Sequence, residues 1–267
     1  DTITGTTALA SDGALVFGKA GGDTIDIQAM NKGFYIGGAT TADNNDSDAD
    51  GIANQNVNSF TYASLDPTAA PVSATGLSIS LVASNVYNGT AWYGGDGLAK
   101  DYKDANSDGV ADSGWTSTLL HNLWDVGALT GSMGADQIIV SGGGTAGGFA
   151  SIGGGDGADS IQLLNGVKVG TIDGGAAADS YSLGSGLTFS TLVNAISDSG
   201  ASGTDTAIFT LANGANITPT ASGVEQITLD LSATGVTATF VGTNVAGATS
   251  YGANSKIGAG STLTMTD

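Results

Sequence analysis

The chain has 267 residues, a formal net charge of −19, 44 glycines and no cysteine. The negative charge argues against nucleic-acid binding, which requires basic patches, and the lack of cysteine excludes disulfides and thiolate metal sites. No apolar run reaches the roughly 18 residues of a membrane span, so we expect no membrane insertion. The acidity comes from aspartate, since Glu225 is the single glutamate. Aspartate favours turns, whereas glutamate favours helices, so the composition argues against a helical protein.

Residues 1–36 combine short alternating runs with one glycine and aspartate turn. The frame Gly18-Lys-Ala-Gly-Gly-Asp23 precedes Thr24-Ile-Asp-Ile27, whose apolar and polar residues alternate as in a half-buried strand. The carboxylate of Asp23 is a hard oxygen donor of the kind that Ca²⁺ selects. We expect about one and a half coils of a β-solenoid here, with Asp23 as a candidate calcium ligand and Asp1 in the tail of another copy of the repeat. The chain is therefore expected to be a piece of a longer protein or a processed form.

Residues 37–130 break this repeat and are predicted to form an insertion or subdomain carried on the solenoid. The segment contains all three tryptophans and the only histidine, His121. His121 stands among leucines, which favours a packed or surface histidine over a catalytic one. The spacing of the neighbouring apolar residues also permits a short helix with one apolar face, formed by Leu119, Leu120, Leu123 and Trp124.

Two loops of this segment have the spacing of calcium ligands. Residues 46–54 read D-x-D-x-D-G-x-x-N, and residues 104–112 read D-x-N-x-D-G-x-x-D. As in an EF-hand loop, oxygens at positions 1, 3 and 5 converge on one ion, glycine permits the sharp turn, and position 7 gives a backbone carbonyl. The bidentate glutamate at position 12 is missing, so the loops resemble those of extracellular calcium modules in which position 9 contributes instead. The candidate ligands are Asp46, Asp48, Asp50, Ile52 and Asn54 in the first loop, and Asp104, Asn106, Asp108, Val110 and Asp112 in the second.

Residues 131–210 repeat a unit made of a glycine turn, an aspartate and a short strand. The clearest copy, residues 153–164, reads GGGDGADSIQLL, with Ile161 and Leu163 alternating with polar residues. Related frames recur at intervals near 20 residues, which suits one solenoid coil of two strands and two turns. Their aspartates would stack at strand spacing, about 5 Å apart, in one column. The candidate calcium ligands are Asp136, Asp156, Asp159, Asp179 and Asp205, of which Asp156 stands outside the predicted column.

Residues 211–267 are richer in threonine, alanine and valine. Ile227-Thr-Leu-Asp-Leu231 and Val236-Thr-Ala-Thr-Phe-Val241 alternate well, which favours strands. We expect a continued β-solenoid here with few or no ions.

The clearest copy also carries a family resemblance. Gly154 to Gln162 matches every fixed position of G-G-x-G-x-D-x-U-x, the nonapeptide of the RTX, or haemolysin-type, calcium-binding repeat family, in which U is a large apolar residue. The resemblance covers residues 1–36 and 131–210. It implies a parallel β-roll with Ca²⁺ bound in its turns and export from the cell by a one-step exporter. Residues 223–229 are similar to segments of bacterial surface-layer proteins that carry such repeats.

These patterns predict an all-β fold, a parallel β-solenoid of the β-roll or β-helix kind with an inserted, less regular calcium-binding subdomain. Folding of residues 131–210 is expected to require Ca²⁺, because small residues bury little surface against the cost of ordering the backbone. Catalysis is disfavoured, since the sequence has one histidine and neither H-E-x-x-H nor G-x-S-x-G.

The favoured function is that of a calcium-binding extracellular structural protein that self-assembles on the cell surface as a surface-layer, sheath or filament subunit. The open ends of a solenoid support self-association, since they need caps or neighbours. A surface polysaccharide is a second candidate partner. Two alternatives stay open: a calcium-dependent adhesin or glycan-binding module, in which tryptophans such as Trp92 stack on sugars, and the calcium-folding region of a larger exported toxin or enzyme.

Overall fold

We analysed a computed structural model of the chain. The structure describes residues 1–4, 14–28, 31–38, 44, 52–53, 55–69, 72–83, 86–87, 90–91, 95–107, 111–142, 148–164, 166–189, 193–200, 202–241, 245–246, 248, 250–251 and 256–266.

The described residues are all-β and contain no helix, and their parallel sheets form a β-solenoid. The fold class predicted from the sequence is therefore confirmed. No helix of the described chain has the length and apolarity that a membrane crossing requires.

Sheet A has nine strands, and all of its neighbouring strands are parallel. With the strands numbered in chain order, its spatial order is β1 (Thr2–Thr4), β3 (Thr24–Asp26), β5 (Ser59–Thr61), β11 (Ala128–Thr130), β13 (Gly148–Gly155), β15 (Lys168–Gly175), β17 (Ala195–Ser197), β20 (Ala221–Ser222) and β23 (Val245–Ala246).

Sheet B has twelve strands and forms the opposite wall of the solenoid. Its spatial order is β2 (Ala14–Phe17), β4 (Lys32–Ile36), β10 (Leu120–Val126), β9 (Gly95–Tyr102), β6 (Gly76–Ala83), β12 (Gln137–Ser141), β14 (Ser160–Leu164), β16 (Ser180–Leu183), β18 (Thr206–Thr210), β21 (Gln226–Leu231) and β24 (Ser250–Tyr251), and β25 (Lys256–Ile257) also pairs with β21.

The described residues also form two smaller sheets. A three-stranded sheet C lies in the C-terminal coils, and a two-stranded hairpin lies between β6 and β9. Sheet C contains β19 (Asn216–Ile217), β22 (Thr237–Val241) and β26 (Thr262–Thr266), and the hairpin contains β7 (Val86–Tyr87) and β8 (Thr90–Ala91).

Apart from the β7–β8 hairpin, the described strands of residues 37–130 belong to the same two walls as the regular coils. In sheet A, β5 pairs directly with β11, whereas in sheet B the strands β10 and β9 stand between β4 and β6. Because β9 runs antiparallel to both of its neighbours, β6, β9 and β10 form a meander within an otherwise parallel wall. The repeat is therefore interrupted on one side of the coil while the other side continues.

The short helix suggested for residues 119–124 is wrong, because Leu120–Val126 forms strand β10. His121 and Leu123 point into the core, whereas Leu120 and Trp124 point outwards. The apolar spacing fits both the helical and the strand period, and pairing with β4 and β9 on either side decides for the strand.

The core is built from ladders of inward side chains that repeat from coil to coil. In sheet B, Ile138 pairs with Ile161, and Ile161 pairs with Tyr181. In sheet A, Leu129 pairs with Ile152, which pairs in turn with Ile172. All are almost fully buried, so each coil covers the apolar face of the next, as a solenoid requires. These stacks fix the height of every turn and so place the corner aspartates over one another.

Candidate metal centre

Four of the predicted aspartates stand in one column at the corner where the chain passes from sheet A to sheet B. Each directly precedes a strand of sheet B and is at most 2% exposed. The backbone N–H of three of these aspartates donates to Oδ1 of the column aspartate in the next coil, at 2.6 Å from Asp136 to Asp159 and at 2.7 Å from Asp159 to Asp179. The same bond, at 2.7 Å, joins Asp179 to Asp205. The carboxylates are therefore built into the backbone ladder of the solenoid.

The two ends of the column differ. At one end, the carboxylate of Asp136 accepts hydrogen bonds from the backbone N–H groups of Leu77 (2.6 Å) and Ser132 (2.5 Å) and from the Ser132 hydroxyl (2.8 Å). At the other end, the backbone N–H of Asp205 donates to Oε2 of Glu225 at 2.8 Å. Glu225 thus takes the position of the column aspartate in the following coil.

Glycine is required beside the column for two separate reasons. A methyl group on Gly131, Gly154 or Gly174 would overlap with the Oδ2 atom of the aspartate five residues later. Gly155 and Gly157 have φ angles of 106° and 97°, which side chains disfavour. The motif therefore combines glycines that make room for a carboxylate with glycines that turn the chain.

Four carboxylate oxygens are buried without a hydrogen-bond partner among the described residues: Oδ2 of Asp23, Asp159 and Asp179, and Oδ1 of Asp26. An uncompensated buried polar atom costs roughly 1–3 kcal/mol, and more when it carries charge. Burial is also the main cause that raises the pKa of Asp159 to about 9 and the pKa of Asp179 to about 7, and neighbouring carboxylates add to both shifts. Burial likewise raises the pKa of Asp136 to about 7. Burial therefore disfavours the ionised form of these carboxylates near neutral pH, and protonation or a bound cation would relieve this cost.

Three carboxylates come together at the C-terminal part of the column. Asp179, Asp198 and Asp205 each offer an oxygen, and these oxygens lie within 4.8 Å of one another. Tyr181 orients Asp198 by donating its hydroxyl hydrogen to Oδ2 at 2.5 Å, and the same hydroxyl accepts the N–H of Gly174 at 2.6 Å. The pKa of Asp198 is raised first by burial and then by nearby acids, including Asp173 and Glu225.

This three-carboxylate cluster could hold a metal ion. Oδ2 of Asp179 is buried there without a protein partner, and the donors are all hard oxygens. Burial and the neighbouring acids Asp198 and Glu225 also raise the pKa of Asp205. A cation bound among these groups would remove both the unsatisfied oxygen and the like-charge repulsion.

Asp23 lies at the opposite corner, where the chain passes from sheet B to sheet A. Its backbone N–H donates to Oδ1 of Asn58 at 2.9 Å, and its Oδ1 accepts the amino terminus of Asp1 at 2.8 Å. Asn58 in turn donates to Oδ2 of the buried Asp125 at 2.7 Å. In the first coils, an asparagine side chain therefore makes the kind of hydrogen bond to the backbone of the preceding coil that aspartates make in the regular coils.

Asp156 is exposed and lies outside the column. It borders a groove of about 550 Å³ on the outer surface of sheet A, together with Asp173. Asp173 is engaged there, because its Oδ1 accepts N–H groups of Ser199 at 2.9 Å and Gly175 at 3.1 Å. The structure thus separates the two aspartates of the best-matching nonapeptide, with Asp159 inside the wall and Asp156 outside it.

The two D-x-[DN]-x-D-G loops are only partly described. Ile52 is buried, as expected of a residue that anchors its loop to a core. In the second loop Asp104 is buried and Asn106 is exposed, while Oδ2 of Asp112 accepts the N–H of Ala105 at 3.0 Å. The other predicted ligands lie outside the described residues: Asp46, Asp48, Asp50, Asn54, Asp108 and Val110.

Sequence reasoning missed Asp198, Glu225 and Tyr181. Glu225 follows Asp205 by 20 residues, the same interval that separates Asp159 from Asp179, so the repeat length could have identified it. Asp198 follows Ile196 by two residues, just as Gly174 follows Ile172, the partner of Ile196 in sheet A. No sequence signal marks Tyr181, which occupies an ordinary inward position.

We compared the chain with family models, curated proteins and solved structures, and found no match in any of the three.

Proposed function

We propose that this chain is a calcium-stabilised structural protein of the cell surface that self-assembles as a surface-layer, sheath or filament subunit. The observation that carries the proposal is the buried, unpartnered Oδ2 of Asp179 within the cluster of Asp179, Asp198 and Asp205. An uncompensated carboxylate in the wall of a solenoid is a cost that a divalent cation would offset.

The donor chemistry favours Ca²⁺ over other divalent ions. Carboxylates and backbone carbonyls suit hard cations, whereas zinc and copper favour nitrogen and sulfur ligands. The chain has no cysteine, and its single histidine, His121, is buried elsewhere, with Nε2 at 2.6 Å from Oδ1 of Asn31. Ca²⁺ also tolerates flexible geometry with six to eight oxygens, whereas Mg²⁺ demands a near-ideal octahedron. Asp179, Asp198 and Asp205 would hold the ion, which supplies two positive charges among three negative ones.

The extracellular assignment rests on this chemistry and on the RTX resemblance. Outside the cell Ca²⁺ is abundant, so an exported chain, released by a one-step exporter, would acquire its ions and its full stability after export. The outward residues of the regular coils are mostly serine, threonine and glutamine, for example Ser160, Gln162 and Ser182. Such a surface suits a structural subunit better than an enzyme. Glycan binding stays a prediction. The indole N–H of Trp115 donates to Oδ2 of Asp101 at 3.1 Å, and Trp92 lies outside the described residues.

Calcium titration of a matched pair of variants tests the ion site. Asp198→Asn removes one cluster carboxylate, and Asp230→Asn removes the same charge from strand β21, away from the cluster. We expect Asp198→Asn to lose one Ca²⁺ in native mass spectra or to bind it at least about tenfold more weakly. Asp230→Asn is expected to match the wild type. Equal calcium binding in all three proteins would contradict the assignment.

Chelation tests the structural role. With excess EDTA we expect the β-sheet circular dichroism signal to fall and amide hydrogen exchange to accelerate most over residues 131–210, and Ca²⁺ is expected to restore both. An unchanged spectrum and exchange pattern would refute a structural role for the ion. Negative-stain images of the calcium-loaded protein are expected to show sheets or filaments, whereas monodisperse particles would count against self-assembly.

A further inference from the structure

The outward face of sheet B carries large apolar side chains over five adjacent strands, β2, β4, β10, β9 and β6. Phe34 and Trp124 are each 54% exposed. Beyond β6, the described side chains of the same face are mostly polar, with Ile139 and Ile208 as single exposed apolar residues among them. We call the apolar face the set Leu15, Phe17, Phe34, Val82, Leu98, Leu120 and Trp124.

Strand register makes this face continuous. Leu15 pairs with Phe34, and in the next outward row Phe17 pairs with Ile36, which pairs with Trp124. The half-buried Asn122 stands between Phe34 and Leu98. At the strand spacing of a sheet the face covers roughly 400 Å². An exposed apolar patch of this size is often functional.

Charged residues frame the face in an ordered way. Lys32, Leu120 and Lys100 form one row, because Leu120 pairs with both lysines. Asp96 stands at the opposite end of β9 on the same face, since it pairs with the outward Val82. Strand β9 thus presents an acid, then Leu98, then a base. Two of the six basic residues of a chain with net charge −19 lie in this one row.

We propose that the apolar face binds the same face of a second copy of this chain, about a two-fold axis that lies in the interface perpendicular to the strands. Such an axis reverses the strand direction and keeps the strand order, so β9 lies across from β9 of the other copy. Leu98 then meets Leu98, and Trp124 meets Leu120. Each Lys100 faces the Asp96 of the other copy, so the charged pair forms twice, as an isologous contact requires.

Charge selects this orientation over the alternative. A two-fold axis parallel to the strands would bring the row of Lys32 and Lys100 against itself, which like charges disfavour. The apolar face supplies about half of the roughly 800 Å² per partner of a standard interface, and its polar border supplies the remainder. The inference rests on the proposed self-assembly and assigns one of its contact surfaces.

Sedimentation velocity of the calcium-loaded full chain tests the apolar part of the contact. We expect a monomer–dimer equilibrium in the micromolar range. The double variant Phe34→Thr/Trp124→Thr is expected to weaken dimerisation about a hundredfold, since large aromatic side chains dominate such contacts. The control Ile208→Thr, on the same face in β18, is expected to dimerise like the wild type. A folded wild type that stays monomeric at about 100 μM, or a double variant that associates like the wild type, would overturn the proposal.

A charge exchange tests the orientation. Lys100→Asp and Asp96→Lys are each expected to weaken dimerisation at least about tenfold, and the combined exchange is expected to restore it. Failure of the restoration in a folded double variant would overturn the two-fold arrangement.

Asp96 also accepts the backbone N–H of Asp125 at 3.2 Å, so Asp96→Lys is a risk to folding. If that variant does not fold, Lys100→Asp is compared with Lys100→Gln. Only Lys100→Asp places two acids together, so equal dimerisation by these two variants would overturn the arrangement. Native mass spectra of calcium binding separate a failure of the dimer contact from a failure of the ion site, because a monomer can still bind its ions.

Discussion

The coils of residues 131–210 and those of residues 211–266 share the walls of one solenoid but fill their corners differently. In the first region, buried aspartates at the corner between sheets A and B bond to the backbone of the preceding coil and press against glycine. In the second, the ladder reaches Glu225, and a third sheet, of β19, β22 and β26, adds a side to the coil. Strand pairing therefore sets how the coils stack, whereas the residues at the corners set the cross-section of each coil.

Aromatic side chains fill the interior where the last regular coil meets the C-terminal coils. Phe240 of the C-terminal coils lies edge to face with Phe209 of the last regular coil, with ring centroids 5.6 Å apart, and Phe189 contacts Phe209 in the same way at 5.4 Å. These contacts require no ion, whereas the carboxylate column carries unsatisfied oxygens. The two regions thus close their coils by different means: carboxylates, whose contribution we expect to depend on cations and pH, and aromatic contacts, whose contribution we expect to depend on neither.

The largest expected effect is the pH dependence of the ion-free protein. The pKa values of Asp136, Asp159 and Asp179 are raised to about 7, 9 and 7. Protonated carboxyls therefore favour the fold, and their contribution is complete below the unfolded-state pKa near ~4 and is lost as pH rises through the folded-state values. In EDTA we expect the free energy of unfolding, measured by thermal unfolding, to fall on the order of 5 kcal/mol between pH 4 and pH 9.

Asp159→Asn is the control for this pH dependence. Because an amide does not ionise, the free energy of unfolding of this variant should fall less steeply with pH. Ca²⁺ is expected to abolish the loss at high pH. Stability of the ion-free protein that increases over the same range would refute the role of the column.

Phe240→Ala tests the other region. The side chain is fully buried, so its removal is expected to cost about 3–5 kcal/mol of unfolding free energy. The loss should be the same with and without Ca²⁺, because the aromatic contacts are independent of the ion. A calcium-dependent loss, measured by denaturant unfolding in both conditions, would show that the two regions are coupled rather than independent.

Gly153 and Gly154 test the steric part of the column, for which we expect the smallest effect. In Gly154→Ala the new methyl group would overlap with Oδ2 of Asp159 and with the Gly174 carbonyl oxygen, so we expect a loss of about 1–3 kcal/mol. In Gly153→Ala the nearest atoms lie at 3.7 Å, and the change is expected to stay within about 0.5 kcal/mol. Equal unfolding midpoints for the two variants would remove the steric reason for glycine beside the carboxylate.

Much of the regular region could be predicted because its signals are local. The alternation of Ile161 and Leu163 and the recurrence of the aspartates required only the strand period and the coil length. The meander of β6, β9 and β10 could not be predicted, because its strands read like any other alternating segment. The strand β10 was mistaken for a helix for the same reason, since its apolar spacing fits both periods and the neighbouring strands decide.

An all-β solenoid with recurring acidic turns can be predicted without coordinates, because strand alternation and repeat length are properties of consecutive residues. The folded chain was needed to show that Asp23 occupies the opposite corner from Asp136 and that Asp198 joins Asp179 and Asp205. Which residues of successive coils meet depends on the register of the strands and on extra residues in the turns, and these become fixed only when the coils stack.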